Sequence, residues 1–380
     1  MKLLHIIAAY KPAYVYGGPT MSVARLCEQL VKGGQRIHVY TTTANGAEEL
    51  NVMHNTPVQV DDVVVTYFKR ITKDHTHFSP ALLWALWKNV QRYDAVHVHA
   101  WWNLVSVLSC LIALVRGVPV FVSPRGTLSP YTFQNKNNRI KEVVHHLLGK
   151  PLLNRSHMHA TSNREAAALS NLLSPKSITT VPNFVKLGAV IQPGKAEISR
   201  PVKLIFLSRI EEKKGLETLF DALTKVTVPY RLTIAGDGKR EYVDMLKALA
   251  AHRNIAQYID WAGFITDSKF DLLRQHDLFV LISYDENFAN AVIESLSVGT
   301  AVLISQEVGL AEYVKGHQLG WLCERNAGSV SASLNEIALD KTADLLKIRA
   351  TAPLIIRKDF DEAPLTKLYT DLYTQHLIKE

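Results

Sequence analysis

Short apolar runs rich in β-branched residues alternate along the whole chain with segments whose apolar positions return every three or four residues. That alternation predicts parallel strands joined by crossover helices. In the first half it places strands near Lys2–Ala8, Arg36–Thr41, Val63–Phe68, Ala95–His99, Val118–Ser123, His157–Ala160 and Ile178–Val181. A helix from about Thr20 to Lys32 gathers Val23, Leu26, Leu30 and Val31 on one face and stops at Gly33-Gly34. Leu104–Val115 reads as a buried helix, short of the roughly 20 apolar residues that cross a bilayer. Ser162 and Glu165 form a candidate capping box for a helix that ends before Pro175.

Residues 186–201 lose both periods and hold two Pro and two Gly, the composition of a linker. The rhythm then restarts, with strands near Val202–Leu207, Arg231–Ala235, Ile259–Gly263, Leu278–Ile282, Ala301–Ile304 and Gly320–Leu322. The fold class is therefore α/β, with two Rossmann-like domains expected over 1–190 and 201–358. Doubly wound sheets bind ligands beyond the carboxyl ends of their strands, so a cleft is expected where the two domains face each other. In the last segment, 359–380, Leu365, Leu368, Tyr369 and Leu372 repeat at helical spacing.

Composition narrows the class. At 380 residues and 47% hydrophobic, the chain suits two cores of similar size. Cys27, Cys110 and Cys323 are odd in number and widely separated, which points to no disulfides and a reducing, cytoplasmic setting. Met1–Tyr10 is too short an apolar stretch for a cleaved signal and reads as a first strand. The net charge of +8 is uneven: residues 1–195 carry 21 of the 43 Lys and Arg but only 9 of the 35 Asp and Glu. A basic half suits a phosphate-bearing substrate or an anionic membrane, or merely a soluble surface. Nucleic acid is not expected, because no recognised binding module accompanies the charge.

Candidate chemistry lies at strand ends. Gly17 and Gly18 follow the first strand and open the first helix, where backbone N–H groups can approach a phosphate. A tight turn needs small residues there in any case. The G-x-G-x-x-G fingerprint is absent, which counts against NAD or FAD; no cofactor is expected. In Ser208–Gly215, Arg209 and Lys214 offer two cations for a diphosphate, the alternative being a solvated loop in which Glu211 and Glu212 pair with Lys213 and Lys214. After Leu278–Ile282 comes Glu286-Asn287-Phe288-Ala289-Asn290, then a helix carrying Glu294. A helix start presents N–H groups to a phosphate, while carboxylates before it and within it can grip sugar and ribose hydroxyls. A dipole-favoured Glu286 and a surface Glu294 are the plainer readings.

Glu286 and Glu294 with Asn287-Phe288 between them, Arg209 and Lys214 in a Ser-Arg-x-x-x-x-Lys-Gly context, the Gly17-Gly18 loop and Ala235-Gly236-Asp237-Gly238 together resemble family 4 retaining glycosyltransferases. The resemblance covers essentially the whole chain. It implies the GT-B fold, with the last helix crossing back onto the N-terminal domain. It implies that the first domain serves the acceptor and the second holds the nucleotide sugar. Asp94, His97 and His99 resemble the family's Asp-x-x-His-x-His strand end, which makes His99 a residue that meets the donor sugar, against the alternative of a satisfied core histidine. Metal binding by His97 and His99 with His157 and His159 is the minor alternative. Ser123–Pro130 resembles a loop of a bacterial branch, with Arg125 reaching a donor or acceptor phosphate. Ala289 departs from the pattern, standing where glycine is usual, and its methyl narrows the approach to the site.

The implied reaction moves a hexosyl group from a UDP- or GDP-linked sugar to a hydroxyl of a glycan or lipid-linked saccharide, in bacterial polysaccharide or lipopolysaccharide assembly. A nucleotide-sugar epimerase or a non-catalytic sugar-nucleotide-binding protein are the alternatives. No metal is expected: Asp359-Phe360-Asp361 matches the D-x-D pattern but reads as a turn and helix cap. Residues 135–155, with Lys136, Arg139, Lys141, Lys150 and Arg155 beside Ile140, Val143, Val144, Leu147 and Leu148, read as a basic amphipathic stretch suited to an anionic membrane at the inner face, or to an ordinary core stripe under a charged surface.

Overall fold

The computed structural model describes residues 1–134, 145–189, 197–265 and 268–377. The chain divides into two compact units, Met1–Phe184 with Glu362–Glu380, and Val185–Asp361.

Unit 1 is built on β1 (Lys2–Ile6), β2 (Arg36–Thr42), a two-residue hairpin of β3 (Ala44–Asn45) and β4 (Glu48–Glu49), then β5 (Pro57–Val60), β6 (Val63–Phe68), β7 (Ala95–His99), β8 (Val120–Ser123), β9 (His157–Ala160) and β10 (Ser177–Thr180). Its main sheet runs β10-β9-β8-β7-β1-β2-β6-β5, parallel throughout except for β5 against β6. Every residue of β7 and β8 is buried, as expected of central strands covered by helices on both faces. The α/β expectation holds, and the seven strands expected here lie within two residues of those observed, with β5 and the hairpin added. Pro57 opens β5, and two-residue strands are too short to show a period.

Helix Gly18–Lys32 buries Val23, Leu26 and Leu30. Leu104–Val115 is the expected helix, begun where Asn103 Oδ1 accepts from Ser106 N at 2.8 Å. Only one face of it is buried, since Leu104 and Val115 are exposed. Helix Glu362–Leu377 packs into unit 1 through Leu365, Tyr369, Leu372 and Tyr373. Tyr373 takes the place expected of Leu368, which is 48% exposed. Tyr373 OH meets His97 Nδ1 at 2.8 Å, and Tyr369 OH donates to Pro182 O at 3.0 Å.

Unit 2 holds β11 (Val202–Leu207), β12 (Tyr230–Ala235), β13 (Ile259–Gly263), β14 (Leu278–Leu281), β15 (Ala301–Ser305) and β16 (Gly320–Cys323), all parallel in the order β13-β12-β11-β14-β15-β16. Asp359 is the last residue of helix Thr342–Asp359 and accepts from Tyr313 OH at 2.7 Å, and Phe360-Asp361 leads from it to the helix that begins at Glu362.

Two expectations fall partly outside the described residues. Of the basic stretch 135–155, residues 135–144 lie outside, Lys136, Arg139 and Lys141 among them; beyond them Leu147 is 77% exposed while Leu152 and Leu153 are buried. Of the linker 186–201, residues 190–196 lie outside, and Gly188 is held within unit 2 by Ser297 Oγ at 3.1 Å from its N–H. Among the described residues, no helix is long and apolar enough to cross a membrane. Cys27, Cys110 and Cys323 are buried free thiols.

Candidate functional site

In unit 2 the site residues gather beyond the carboxyl ends of β11 and β14, neighbours in the sheet. Gly215 makes the first approach possible. Its φ is +72°, and a Cβ there would stand 2.0 Å from Ile282 O, so only glycine lets the loop after β11 lie against the end of β14. The two segments are then laced by backbone: Tyr284 N donates to Lys213 O at 2.7 Å and Ser283 Oγ to the same oxygen at 2.9 Å. This lacing carries Lys214 to Glu286, 72 residues away in sequence, where Nζ donates to Oε2 in an ion pair. The two side chains are only 7% and 17% exposed.

Glu286 is fixed at its own backbone, its N–H donating to Glu307 O at 3.2 Å and its carbonyl accepting from Gly309 N at 2.7 Å. Burial pushes its carboxyl up, but Lys214, Lys213 and Arg209 outweigh burial and hold it below the usual carboxylate range. It is therefore an anion at neutral pH, an acceptor of hydrogen bonds only. Arg209 is half exposed and pairs with Glu211 at 3.2 Å. The solvated-loop pairing is thus rearranged: Glu211 takes Arg209 and, at 4.0 Å, Lys213, while Lys214 belongs to Glu286.

Asn287 and Phe288 lead to Ala289, which precedes helix Asn290–Leu296 with φ +71° and ψ +73°. Phe288 and Ala289 are buried, Asn287 and Asn290 partly so. An alanine in the left-handed region costs about 1–2 kcal/mol relative to glycine. Ala289→Gly is therefore expected to raise stability by about 1 kcal/mol, seen as a higher midpoint in urea unfolding. An unchanged midpoint would mean the alanine is not strained there. Glu294, on the same helix, is neither bare surface nor unpaired: it accepts from Lys269 Nζ at 2.6 Å with 13% of its side chain exposed. Lys269 has no spacing signal in sequence, since it lies 25 residues upstream on another helix.

In unit 1, Gly17 has φ +64° and Gly18 begins the first long helix. A Cβ on Gly18 would meet nothing within 4 Å, so packing does not demand glycine there. The β1–β7 register sets His5 beside His97, and His99 follows on β7. His99 is fully buried, with both ring nitrogens engaged: Nε2 meets His5 Nδ1 at 2.9 Å, and Nδ1 accepts from Arg125 Nε at 3.4 Å. Because that acceptance leaves the His99 proton on Nε2, His99 donates to His5, whose own proton sits on Nε2. Burial, with the Arg125 charge adding to it, lowers His5 and His159 to about 3 and His97 and His99 well below 6.5, so all four are neutral.

His5 was legible only as a polar residue inside an apolar run. His157 stands apart from the cluster, bonded to Ser177 and stacked on His376, and His159 bonds Val181 O at 2.9 Å. His5, His97 and His99 bring one ring nitrogen each within 4.8 Å of one another, close enough for a metal ion. The His5–His99 hydrogen bond occupies two of the ring nitrogens, and the adjacent guanidinium repels a second cation.

Arg125 extends from the loop after β8 with φ +53°. Gly126 N donates to Glu165 Oε1 at 2.8 Å, and Thr127 Oγ1 to Pro124 O at 2.7 Å, which pins the turn. Ser162 Oγ does cap its helix, accepting from Glu165 N at 3.2 Å. The Glu165 carboxylate reaches Thr161 N and Gly126 N, so it serves the Arg125 loop as well.

Residues 16–188 match the family described as Glycosyltransferase Family 4, and residues 191–352 match the one described as Glycosyl transferases group 1. Among curated relatives, a lipopolysaccharide core biosynthesis glycosyltransferase of Rhizobium meliloti is 25% identical over 181 residues, 47% of this chain and 52% of that protein. The match thus spans about half the length of that relative. A GDP-mannose:cellobiosyl-diphosphopolyprenol alpha-mannosyltransferase of Xanthomonas campestris is 23% identical over 98% of this chain and 96% of its own. Among solved structures, Anabaena HepE in complex with UDP-glucose superposes with a TM-score of 0.74 at 18% identity, over 99% of this chain and 100% of the other. That likeness is one of fold.

Proposed function

The chain belongs to the family 4 type of glycosyltransferases, with the two Rossmann-like domains of the GT-B fold, and from that premise we propose that it transfers a hexosyl group from a UDP- or GDP-linked sugar to a hydroxyl of a glycan or lipid-linked saccharide, with retention. The observation that carries the proposal is the buried Lys214–Glu286 pair, within the electrostatic reach of Arg209. A buried ion pair adds little to stability once desolvation is counted, so its value lies in holding both charges ready.

When the donor enters, Lys214 and Arg209 turn to the diphosphate and Glu286 accepts from sugar hydroxyls, while Glu294 takes the ribose. As the glycosidic bond breaks, charge builds on the leaving diphosphate and the two cations offset it. They supply the neutralisation that a divalent ion supplies elsewhere, so the proposed reaction needs none. Gly17 and Gly18, which open the first long helix of unit 1, offer backbone N–H groups to a phosphate. Relatives that act on GDP-mannose and bind UDP-glucose, together with the basic first half, support a phosphorylated donor and a surface-polysaccharide setting.

The test is a thermal-shift panel of UDP, GDP and their common sugars, run with EDTA. One nucleotide is expected to raise the midpoint of the wild type and to lose that effect in Arg209→Gln, since a ligand stabilises only the state it binds. No response to any of them, or an undiminished response in Arg209→Gln, counts against the donor site.

A further inference from the structure

Among the described residues, Arg125 is a cation with neutral partners only. Nη1 donates to Ser22 Oγ and to Asn183 Oδ1, both at 2.9 Å, and Nε to His99 Nδ1 at 3.4 Å. Among the described residues Nη2 is buried with no hydrogen-bond partner, and so is Ser123 Oγ at the end of the strand that leads to it. Among the described residues no carboxylate is paired with the guanidinium; Glu165, which acts on it through space, accepts from the backbone N–H groups of Thr161 and of Gly126, the residue after Arg125. The imidazoles around it are neutral.

Two costs are visible. The backbone holds an arginine in the left-handed region, and the fold places its charge among dipoles with no counter-ion. Neither cost is explained by packing. A guanidinium fork fixed through Nε and Nη1, with Nη2 buried and unpartnered among the described residues, matches an oxyanion. The His99–His5 chain orients it, because His99 can accept from Arg125 only while its own proton rests on Nε2 and is given to His5.

We propose that Arg125 binds an oxyanion, a phosphate or carboxylate, borne by the acceptor, and that His99 and His5 are positioning residues that hold the guanidinium for it. The resemblance set His99 with the donor sugar and left Arg125 to a donor or an acceptor phosphate; the guanidinium's fixed setting within unit 1 favours the acceptor. That the oxyanion belongs to the acceptor rests on the transfer proposed above, whereas the anion site rests on unit 1 alone.

The experiment titrates inorganic phosphate, and separately malonate, into the full chain against chloride at matched ionic strength, following the Arg125 Nε–H resonance and the thermal midpoint. Wild type and Arg209→Gln are expected to respond alike, while Arg125→Gln weakens binding by about tenfold or more. Arg125→Lys, which keeps the charge and loses the fork, should weaken it as well. His99→Asn should weaken it several-fold with nucleotide binding unchanged, which a general loss of structure would not spare. A response to phosphate alone assigns a phosphate and a response to malonate a carboxylate, each in support. No response to either, or one lost in Arg209→Gln and kept in Arg125→Gln, overturns the proposal. Nucleoside diphosphate binding, read on the same variants, reports the donor site separately, so the two readings fail independently.

Discussion

Lys214→Ala is expected to lower hexosyl transfer by about two to three orders of magnitude, the usual cost of removing one preorganised donor from developing negative charge. A steady-state assay with the nucleotide sugar identified by thermal shift measures it. Burial of the pair adds a second effect. Glu286 would be left a largely buried carboxylate without its partner, so the thermal midpoint should drop too. Glu286→Gln separates the two consequences, since it keeps size and a hydrogen-bonding oxygen for Lys214 while losing the anion. Its transfer should fall, with a smaller drop in midpoint than in Lys214→Ala, because the lysine charge loses its counter-ion but keeps a hydrogen-bonding oxygen. Turnover near wild type in Lys214→Ala would sink the donor assignment, because a lysine that merely decorated a loop could be removed freely.

Acid is expected to weaken unit 1 from just below neutral pH. His5 and His159 are fully buried and lowered to about 3 by burial and by Arg125. A folded-state value below that of the unfolded imidazole means the stabilisation is complete above about pH 6.5 and drains away as pH falls toward 3. At pH 5 each of these two rings contributes about 2 kcal/mol less than at neutral pH. Hydrogen exchange, corrected for its intrinsic pH dependence, should show peptides from β1, β7 and β9 losing protection between about pH 7 and 5. A flat profile there would mean these rings are not held neutral inside.

Much of the fold was legible because central parallel strands are buried on both faces and leave apolar runs in the sequence. The runs that became β7, β8, β11 and β14 are of this kind, and the candidate residues of each unit lie at the ends of its own strands. What escaped was whatever depends on a partner distant in sequence. Lys269 meets Glu294 across two helices, and nothing in a helical repeat announces that pair. Lys214 was named, but not the carboxylate it binds, because the contact depends on the close approach that Gly215 permits at Ile282. Ser22 and Asn183, which flank Arg125, sit 103 and 58 residues from it and look like ordinary polar positions. His99 carried a recognisable strand-end pattern, yet the direction of its hydrogen bonds follows from His5 and Arg125, which only the sheet order brings near.

The departure at Ala289 also has a physical reading. The position demands the left-handed backbone that glycine adopts freely, and here an alanine adopts it with φ +71°. The conformation survives the substitution.

Helix Glu362–Leu377 belongs to unit 1 although all of unit 2 precedes it in the chain. On a ribosome the first-made unit is therefore the last to be completed. Unit 2 has its whole sequence in hand while the nascent unit 1 still lacks Tyr369 and Tyr373, and with them the cover over Pro182 and His97. A nonsense codon within the stretch that encodes Glu362–Leu377 would thus leave the late-made half intact and strand the early-made half unfinished.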